Sequence, residues 1–446
     1  MKRSAWACVG GLLVALAAAG CWVKDISTPY FAQTTSYYCG AASAKMILDS
    51  EKLGILVSSQ DTLYNYIHSH NTCPTGWASD PGGLSAVLNH YGNSHTPPAH
   101  FITHAPTDQD SGIKKLTYTI DVYGVPPAAM VYGCAHWMVV RGAITDAAPS
   151  TSPAYTVDGF YVNDPWFGSD SLGENRYIDI SSWRSDYFTG CDWCGASGNT
   201  FISVDDPKPV PERTIRFPAV KPRRSQILTP QEAAAVARES LAQLAQAPPT
   251  RDTQIAGGVK ALQAAKPGAP LLVKRGDKEA EAYYIVPLEK GTLTSGAVLV
   301  DAYSGQLKEV TYAAKPLRYH EAINPDLVRN RVLAQLPKLK VRPELFERLK
   351  PTVAPKAQAQ VRKPASELRT FGELGIAAKE VSITRLEAVW EPSAQSQNPY
   401  YPLWRVEGTV RAINKPELLG FLGPRGELTH EVSPARAQAL KGSGGR

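Results

Sequence analysis

Residues 33–48, QTTSYYCGAASAKMIL, carry the strongest indication of the fold. From Cys39 onward the residues are mostly small or apolar and favour a helix, in which Ile47 and Leu48 are able to face a core. The thiol of Cys39 then lies at a helix N-terminus, where backbone N–H groups and the helix dipole favour a thiolate over a thiol. A buried or disulfide-bonded cysteine is the alternative, but a thiol in this position is suited to nucleophilic attack.

A thiolate nucleophile needs a base, and His136 has the most informative setting among the nine histidines. It opens the apolar run HWMVVRG, which predicts a strand that begins at a turn. The segment YVNDP, residues 161–165, predicts a second strand that ends at Asp164. If the two strands are adjacent, Asp164 contacts His136 and fixes its tautomer as the third member of a triad.

These segments together resemble the papain-like bacterial cysteine peptidases related to the bacteriocin-processing (double-glycine-leader) peptidases. The shared pattern covers roughly residues 25–204, and its matching positions are Gln33, Cys39, His136 and Asp164. The resemblance implies an α+β papain-like fold in which Cys39 attacks a carbonyl carbon and His136 transfers protons. It also implies that Asp164 orients the imidazole. The side-chain amide of Gln33, with the backbone N–H of Cys39, would form the oxyanion hole.

The first twenty residues predict export. Lys2 and Arg3 precede an apolar run without acidic residues, which is too short for a membrane span of ~20 residues and typical of a signal peptide. The run ends in LAAAGC at residues 16–21, which resembles the bacterial lipoprotein signal and implies lipidation of Cys21. An ordinary secretory signal cleaved at Ala-x-Ala is the alternative. We expect a protein of the bacterial cell envelope, held at a membrane by its N-terminal lipid, in the periplasm or on the outer surface.

Export changes how the cysteines are interpreted, because disulfides form in an oxidising compartment. Beyond Cys21 there are five cysteines, so that four are able to pair and one stays a thiol. The candidates for pairing are Cys73, Cys134, Cys191 and Cys194. The close pair Cys191 and Cys194 either forms one disulfide, joins the other two cysteines, or completes a four-cysteine zinc site. Zinc sites usually show two close pairs, so we predict disulfides, no metal and no cofactor.

The net charge changes sign along the chain, from −10 over residues 21–206 to +14 over residues 207–446. This division predicts two modules with different surfaces, and the opposite charges allow the basic module to dock on the acidic one. We expect no nucleic-acid partner, because the acidic half would repel phosphate. The proline-rich residues 207–228 at the change of sign predict a linker.

Beyond the linker the sequence predicts one or two small α+β modules, each a helix plus an antiparallel sheet. Thr229, Pro230 and Glu232 supply the N-cap, the first-turn proline and the capping-box glutamate of a helix that continues to about Ala245. Two strands, a glycine turn and a third strand then occur over residues 283–310 and again over residues 400–432. This order resembles PepSY-like modules, small secreted domains associated with peptidases. An unrelated α+β domain with ordinary hairpins is the alternative.

The predicted organisation is a lipoprotein signal peptide at 1–20, a papain-like cysteine peptidase domain at 21–206, the linker at 207–228, a PepSY-like module at 229–315, a helical or mobile connection at 316–366, a second PepSY-like module at 367–434 and a disordered tail at 435–446. The predicted function is that of an exported cysteine peptidase that cleaves peptide bonds of a peptide or protein substrate. Two alternatives stay open: a non-catalytic lipoprotein that binds cell-envelope ligands, and a cell-wall amidase on the same fold.

Overall fold

The computed structural model describes residues 22–73, 77–166, 172–192, 194, 199–246, 258, 261–349, 370–411, 413 and 415–433. The predicted signal peptide, the lipidation site Cys21, residues 350–366 of the predicted connection and the tail at 435–446 lie outside the described residues. Within the described ranges, no helix combines the length and the apolar character that a membrane crossing requires.

The described residues form two compact units. The first unit takes in the residues up to 270 together with residues 284–317. The second takes in residues 271–283 together with residues 318–433. Each unit combines helices with a largely antiparallel sheet, which confirms the predicted α+β class.

The α-helices of the described residues are α1 (Cys39–Leu48), α2 (Gln60–Ser69), α3 (Pro81–Gly92), α4 (Gln109–Val122), α5 (Ile180–Ser182), α6 (Pro230–Gln246), α7 (His320–Ile323), α8 (Pro325–Gln335) and α9 (Pro343–Leu349). One π-helical turn spans Trp183–Tyr187, and 3₁₀ turns span Leu336–Lys338 and Ala378–Glu380.

The strands up to residue 216 are β1 (Trp22–Asp25), β2 (Ile102–His104), β3 (Ala128–Val131), β4 (His136–Thr145), β5 (Ala154–Asn163), β6 (Arg176–Asp179), β7 (Ser203–Asp205) and β8 (Thr214–Arg216). Those that follow are β9 (Lys266–Pro267), β10 (Leu271–Arg275), β11 (Ala282–Lys290), β12 (Leu293–Asp301), β13 (Leu307–Leu317), β14 (Val381–Trp390), β15 (Leu403–Val410), β16 (Pro416–Leu422) and β17 (Leu428–Thr429).

Helix α1 begins at Cys39, as predicted, and is buried along almost its whole length. Its small residues allow a close approach to neighbouring segments. At Gly40 a Cβ atom would lie 2.4 Å from the Cβ of Ser79, so that only glycine fits without a shift. Trp137 holds the same segment, because its Nε1 donates a hydrogen bond to the Ser79 carbonyl oxygen at 2.9 Å.

Strand β4, which begins at His136 as predicted, is central to the sheet of the first unit. All ten of its residues are buried. It pairs antiparallel with β3 and β1 and with β5. A strand buried on both faces reads as a continuous apolar run, which is why HWMVV was recognisable in the sequence.

The sheet continues from β5 through β6 to β13. Strand β6 pairs antiparallel with β5 and also with β13, where Glu309 lies opposite Ile178 and Val310 lies opposite Tyr177. Strand β12 then pairs with β13. The sheet therefore runs from residues of the predicted peptidase domain into residues of the predicted first PepSY-like module.

The proline-rich segment and the helix after it are also part of the first unit. Within the predicted linker, β8 pairs parallel with β5, so this part is a strand rather than a loose connection. The predicted capping box of α6 is confirmed: the Thr229 N–H donates to the Glu232 carboxylate at 2.7 Å, and the Glu232 N–H donates to the Thr229 hydroxyl at 3.2 Å. The buried side chains of Leu241 and Leu244 line a small cavity together with Val310 of β13.

The predicted repeat of two strands, a glycine turn and a third strand is confirmed in both places. The first copy comprises β11, β12 and β13 with Gly305 in the turn, and the second comprises β15, β16 and β17 with Gly426 in the turn. Both glycines have a left-handed backbone, with φ values of 67° and 83°. This conformation costs glycine little, which explains why the glycines mark the turns in the sequence.

The close approach of β5 to β6 gives a test of the sheet. A Cβ on Gly159 would lie 2.4 Å from the carbonyl oxygen of Ile178, a backbone atom that is unable to move aside cheaply. We expect Gly159→Ala to lower the free energy of unfolding by about 1–3 kcal/mol through overpacking. Urea denaturation measures this, with Thr156→Ala on the same strand as the control. Equal stability of the two variants would contradict this packing.

Candidate active site

His136 and Asp164 are in direct contact. The Nε2 of His136 lies 2.8 Å from Oδ1 of Asp164, and both side chains are fully buried. The sheet produces this contact, because the antiparallel register that pairs Val139 with Asn163 brings the start of β4 to the end of β5. The two residues that the sequence placed on adjacent strands are therefore brought together.

The carboxylate of Asp164 is held from several sides. Its Oδ1 also accepts a hydrogen bond from the backbone N–H of Trp166 at 3.0 Å. Its Oδ2 accepts a hydrogen bond from Nη1 of Arg176 at 2.5 Å. The backbone is fixed as well, since the Asp164 N–H donates to Gly173 and its carbonyl oxygen accepts the hydroxyl of Tyr30. A carboxylate with this many donors keeps one orientation toward the imidazole.

The surroundings of His136 favour its protonated form. Burial alone would lower the pKa of the imidazole. The hydrogen bond and negative charge of Asp164, together with the interaction with Cys39, outweigh the burial and raise the pKa from 6.5 to about 9. For Asp164, burial would raise the pKa, but His136 and Arg176 lower it below the ordinary value of 3.8.

Cys39 lies at the first position of α1, with its thiol next to His136. It lies outside both disulfides and is 2% exposed. Its thiol interacts with His136 and raises the pKa of the imidazole. Because Asp164 engages Nε2, Nδ1 is the ring nitrogen that is not engaged by the carboxylate, and it has no hydrogen-bond partner among the described residues. Within the described residues, no side chain caps the N-terminus of α1, so the helix start is not neutralised by a neighbouring carboxylate or hydroxyl.

Gln33 lies beside the segment that follows Asp164. Its backbone N–H donates to the carbonyl oxygen of Pro165 at 2.7 Å. Its side-chain amide is buried, and neither Nε2 nor Oε1 has a hydrogen-bond partner among the described residues. A buried amide without a partner is costly, so an oxygen that accepts its N–H would be bound favourably.

The turn before His136 has an unusual backbone. Tyr132, Gly133 and Cys134 have φ values of 57°, 62° and 64°, and two of them are not glycine. Consecutive left-handed residues of this kind persist only when the surroundings hold them. Here the Gly133 N–H donates to the hydroxyl of Thr189 at 2.9 Å, and Cys134 is joined to Cys191 by a disulfide.

The predicted disulfides are confirmed, and their connectivity is now defined: Cys73 pairs with Cys194 and Cys134 pairs with Cys191. Each member of the close pair Cys191 and Cys194 is therefore bonded to one of the two distant cysteines. Among the described residues, the group with metal-ligand spacing is Cys73, Asp80 and Cys194. Its two sulfurs are bonded to each other, and Asp80 accepts backbone N–H groups of Cys73 and Gly83, so these atoms are already engaged.

The sequence did not single out Arg176, Trp166 or Tyr30, all of which contact Asp164. The signal that was available for Arg176 was its place at the start of RYIDI, where a charged residue opens a run typical of a buried strand. Nothing in the local sequence indicated which carboxylate it would meet.

The pKa of His136 predicts how stability depends on pH. The pKa of His136 in the folded state lies above the ordinary value of 6.5, so protonation of this residue stabilises the fold. The stabilisation is complete below about pH 6.5 and is lost as the pH rises through about 9. In Asp164→Asn the carboxylate that raises the pKa is gone. We expect the stability difference between wild type and Asp164→Asn to shrink from pH 6.5 to pH 9 in chemical denaturation. A difference independent of pH would contradict the assignment.

The disulfide at Cys134 predicts a specific effect on the site. Removing it by Cys134→Ser with Cys191→Ser should lower the free energy of unfolding by about 2–4 kcal/mol and slow the alkylation of Cys39 by iodoacetamide, because the turn before His136 loses an anchor. The control is Cys73→Ser with Cys194→Ser, which removes a disulfide that does not adjoin His136. Equal slowing in both double variants would show that only general stability matters.

The arrangement as a whole suits acyl transfer by a thiol: a cysteine at a helix start, an imidazole whose raised pKa favours its charged form, an orienting carboxylate and an unused amide. In comparisons with known proteins, the chain matches no family model and no curated protein.

Proposed function

We propose that this protein is an exported cysteine peptidase, with a papain-like domain that cleaves peptide bonds. The observation that carries the proposal is the buried hydrogen bond of His136 to Asp164 at 2.8 Å, together with the charge interaction of the imidazole with Cys39, which lies at the start of helix α1. A thiol–imidazole pair whose imidazole is oriented by a carboxylate is the arrangement that activates a cysteine for attack on a carbonyl.

The reaction follows from the positions of these groups. The sulfur of Cys39 attacks the carbonyl carbon of the substrate, and its proton resides on His136. The carbonyl oxygen becomes an oxyanion, and the tetrahedral intermediate collapses when His136 donates the proton to the leaving amine. A thioester to Cys39 remains. Water then attacks the thioester with His136 as general base, which releases the acid product and restores the thiol.

Gln33 is proposed as the side-chain donor of the oxyanion hole. Its buried amide has no partner among the described residues, and its backbone is bonded to Pro165, directly after Asp164. An amide N–H held in this way strengthens its bond to oxygen as negative charge develops. The binding of the transition state then satisfies a group that is otherwise left without a partner.

Access to the thiol is restricted. Cys39 is 2% exposed, His136 1% and Gln33 9%. A small electrophile needs little room, whereas an extended polypeptide needs the walls of the site to move apart before its carbonyl reaches the sulfur. Small probes are therefore the appropriate first test of the chemistry, and polypeptides the test of specificity.

We also propose a location for the protein and an assignment of its C-terminal residues. The two disulfides fit an oxidising, extracellular compartment. Lipid attachment at Cys21 and tethering to a cell-envelope membrane rest on the sequence LAAAGC. The assignment of the C-terminal residues to PepSY-like modules rests on the order of their strands and glycine turns.

The proposal predicts two activities that depend on one residue. Folded wild type should react with iodoacetamide at Cys39 and should cleave members of a peptide library, and Cys39→Ala should lose both. Mass spectrometry after alkylation and after cleavage measures them. Peptidoglycan tested in parallel distinguishes a cell-wall amidase. An inert Cys39 in folded protein would contradict the enzyme and favour the binding lipoprotein.

Gln33→Ala separates the oxyanion hole from the nucleophile. Peptide cleavage should fall by ~10²–10³ because one oxyanion donor is lost. Alkylation by iodoacetamide forms no oxyanion at a carbonyl, so its rate should change little. Thr34→Ala, next to Gln33, is the control. Equal loss of both reactions in Gln33→Ala would show that the residue only supports the local fold.

A further inference from the structure

We propose that Glu309, on strand β13 beyond the proline-rich segment, is a positioning residue of the triad that acts through Arg176 on Asp164. The inference rests on the proposed function and deepens it. It means that the active site is completed by a residue that the sequence assigned to a different module.

Arg176 joins the two carboxylates. Its Nη1 donates to Oδ2 of Asp164 at 2.5 Å, and its Nη2 donates to Oε2 of Glu309 at 2.6 Å. The three side chains are at most 1% exposed. In such surroundings an ion pair is screened very little, so each of these charges acts strongly on its neighbours.

Tyr187 closes the network. Its hydroxyl accepts Nη2 of Arg176 at 2.6 Å and donates to Oε1 of Glu309. Both oxygens of Glu309 therefore accept a hydrogen bond. A guanidinium held at two ends by carboxylates has one orientation rather than several.

The backbone that carries Glu309 is fixed to the same part of the fold. The residue lies opposite Ile178 in the pairing of β13 with β6. On either side, Lys308 is paired with Asp186 at 2.8 Å, and the hydroxyl of Thr311 donates to the carbonyl oxygen of Leu172 at 3.0 Å. These contacts give Glu309 a defined place, so that the position of Arg176 depends on β13.

The charge of Glu309 has a consequence for the imidazole. Arg176 is a permanent cation on the far side of Asp164 from His136, and Glu309 offsets part of its charge. Without Glu309, the positive charge of Arg176 is neutralised by Asp164 alone. The carboxylate of Asp164 then attracts the proton on His136 less strongly. The pKa of His136 should fall when Glu309 is neutralised. A residue that only holds the strand in place would not have this effect.

The test is the pH dependence of Cys39 alkylation by iodoacetamide in the full chain. The inflection at higher pH reports the loss of the proton from His136. In Glu309→Gln we expect this inflection to move to lower pH by up to about one unit, because Glu309 acts from beyond Arg176 and Asp164, whereas a charge next to the imidazole shifts the pKa by about one unit or more. Lys308→Gln is the control, since it removes an ion pair from the same strand without touching Arg176. We expect it to leave the inflection where it is.

The outcomes are distinct. An unchanged inflection in Glu309→Gln, or an equal shift in Lys308→Gln, overturns the positioning role. If Glu309→Gln does not fold, Glu309→Met removes the same charge with a side chain of similar length. The same shift to lower pH supports the proposal, and no shift contradicts it. An unreactive Cys39 in wild type is seen before any variant is compared and contradicts the proposed function itself.

Discussion

The buried contact between His136 and Asp164 determines how the other side chains of the site are arranged. Both side chains are fully buried. A buried charge is stable only when opposite charges and hydrogen bonds replace its contacts with water. Arg176 and the backbone N–H of Trp166 complete the shell of Asp164. The raised pKa of His136 is the result, and it keeps the charged imidazole next to Cys39.

This requirement explains several features of the fold. Strands β4 and β5 must be neighbours in one register, and the turn before β4 must hold left-handed residues, which the disulfide between Cys134 and Cys191 anchors. The buried guanidinium of Arg176 needs a second carboxylate, and β13 supplies Glu309 by extending the same sheet. Residues on both sides of the proline-rich segment thus contribute to one network.

The parts of the site that the sequence predicted are those with a local signal. Cys39 is marked by small residues that start a helix, His136 and Asp164 by the ends of apolar strands, and the four paired cysteines by the expected compartment. Pairing between distant segments has no such signal, so the disulfide connectivity and the contact of Arg176 with Glu309, 133 residues apart, were not predicted. The net charge of the two halves did not predict this contact, because the cation Arg176 lies in the acidic half and the anion Glu309 lies in the basic half.

We infer that Asp164 keeps His136 protonated beside Cys39, and nitrogen NMR of the imidazole in the unreacted protein measures this protonation. A titration of ¹⁵N-labelled histidine, with the signal of His136 identified by its loss in His136→Gln, gives the midpoint of protonation. The contacts of His136 predict a midpoint near pH 9. A midpoint at or below 6.5, the ordinary value for histidine, would contradict it.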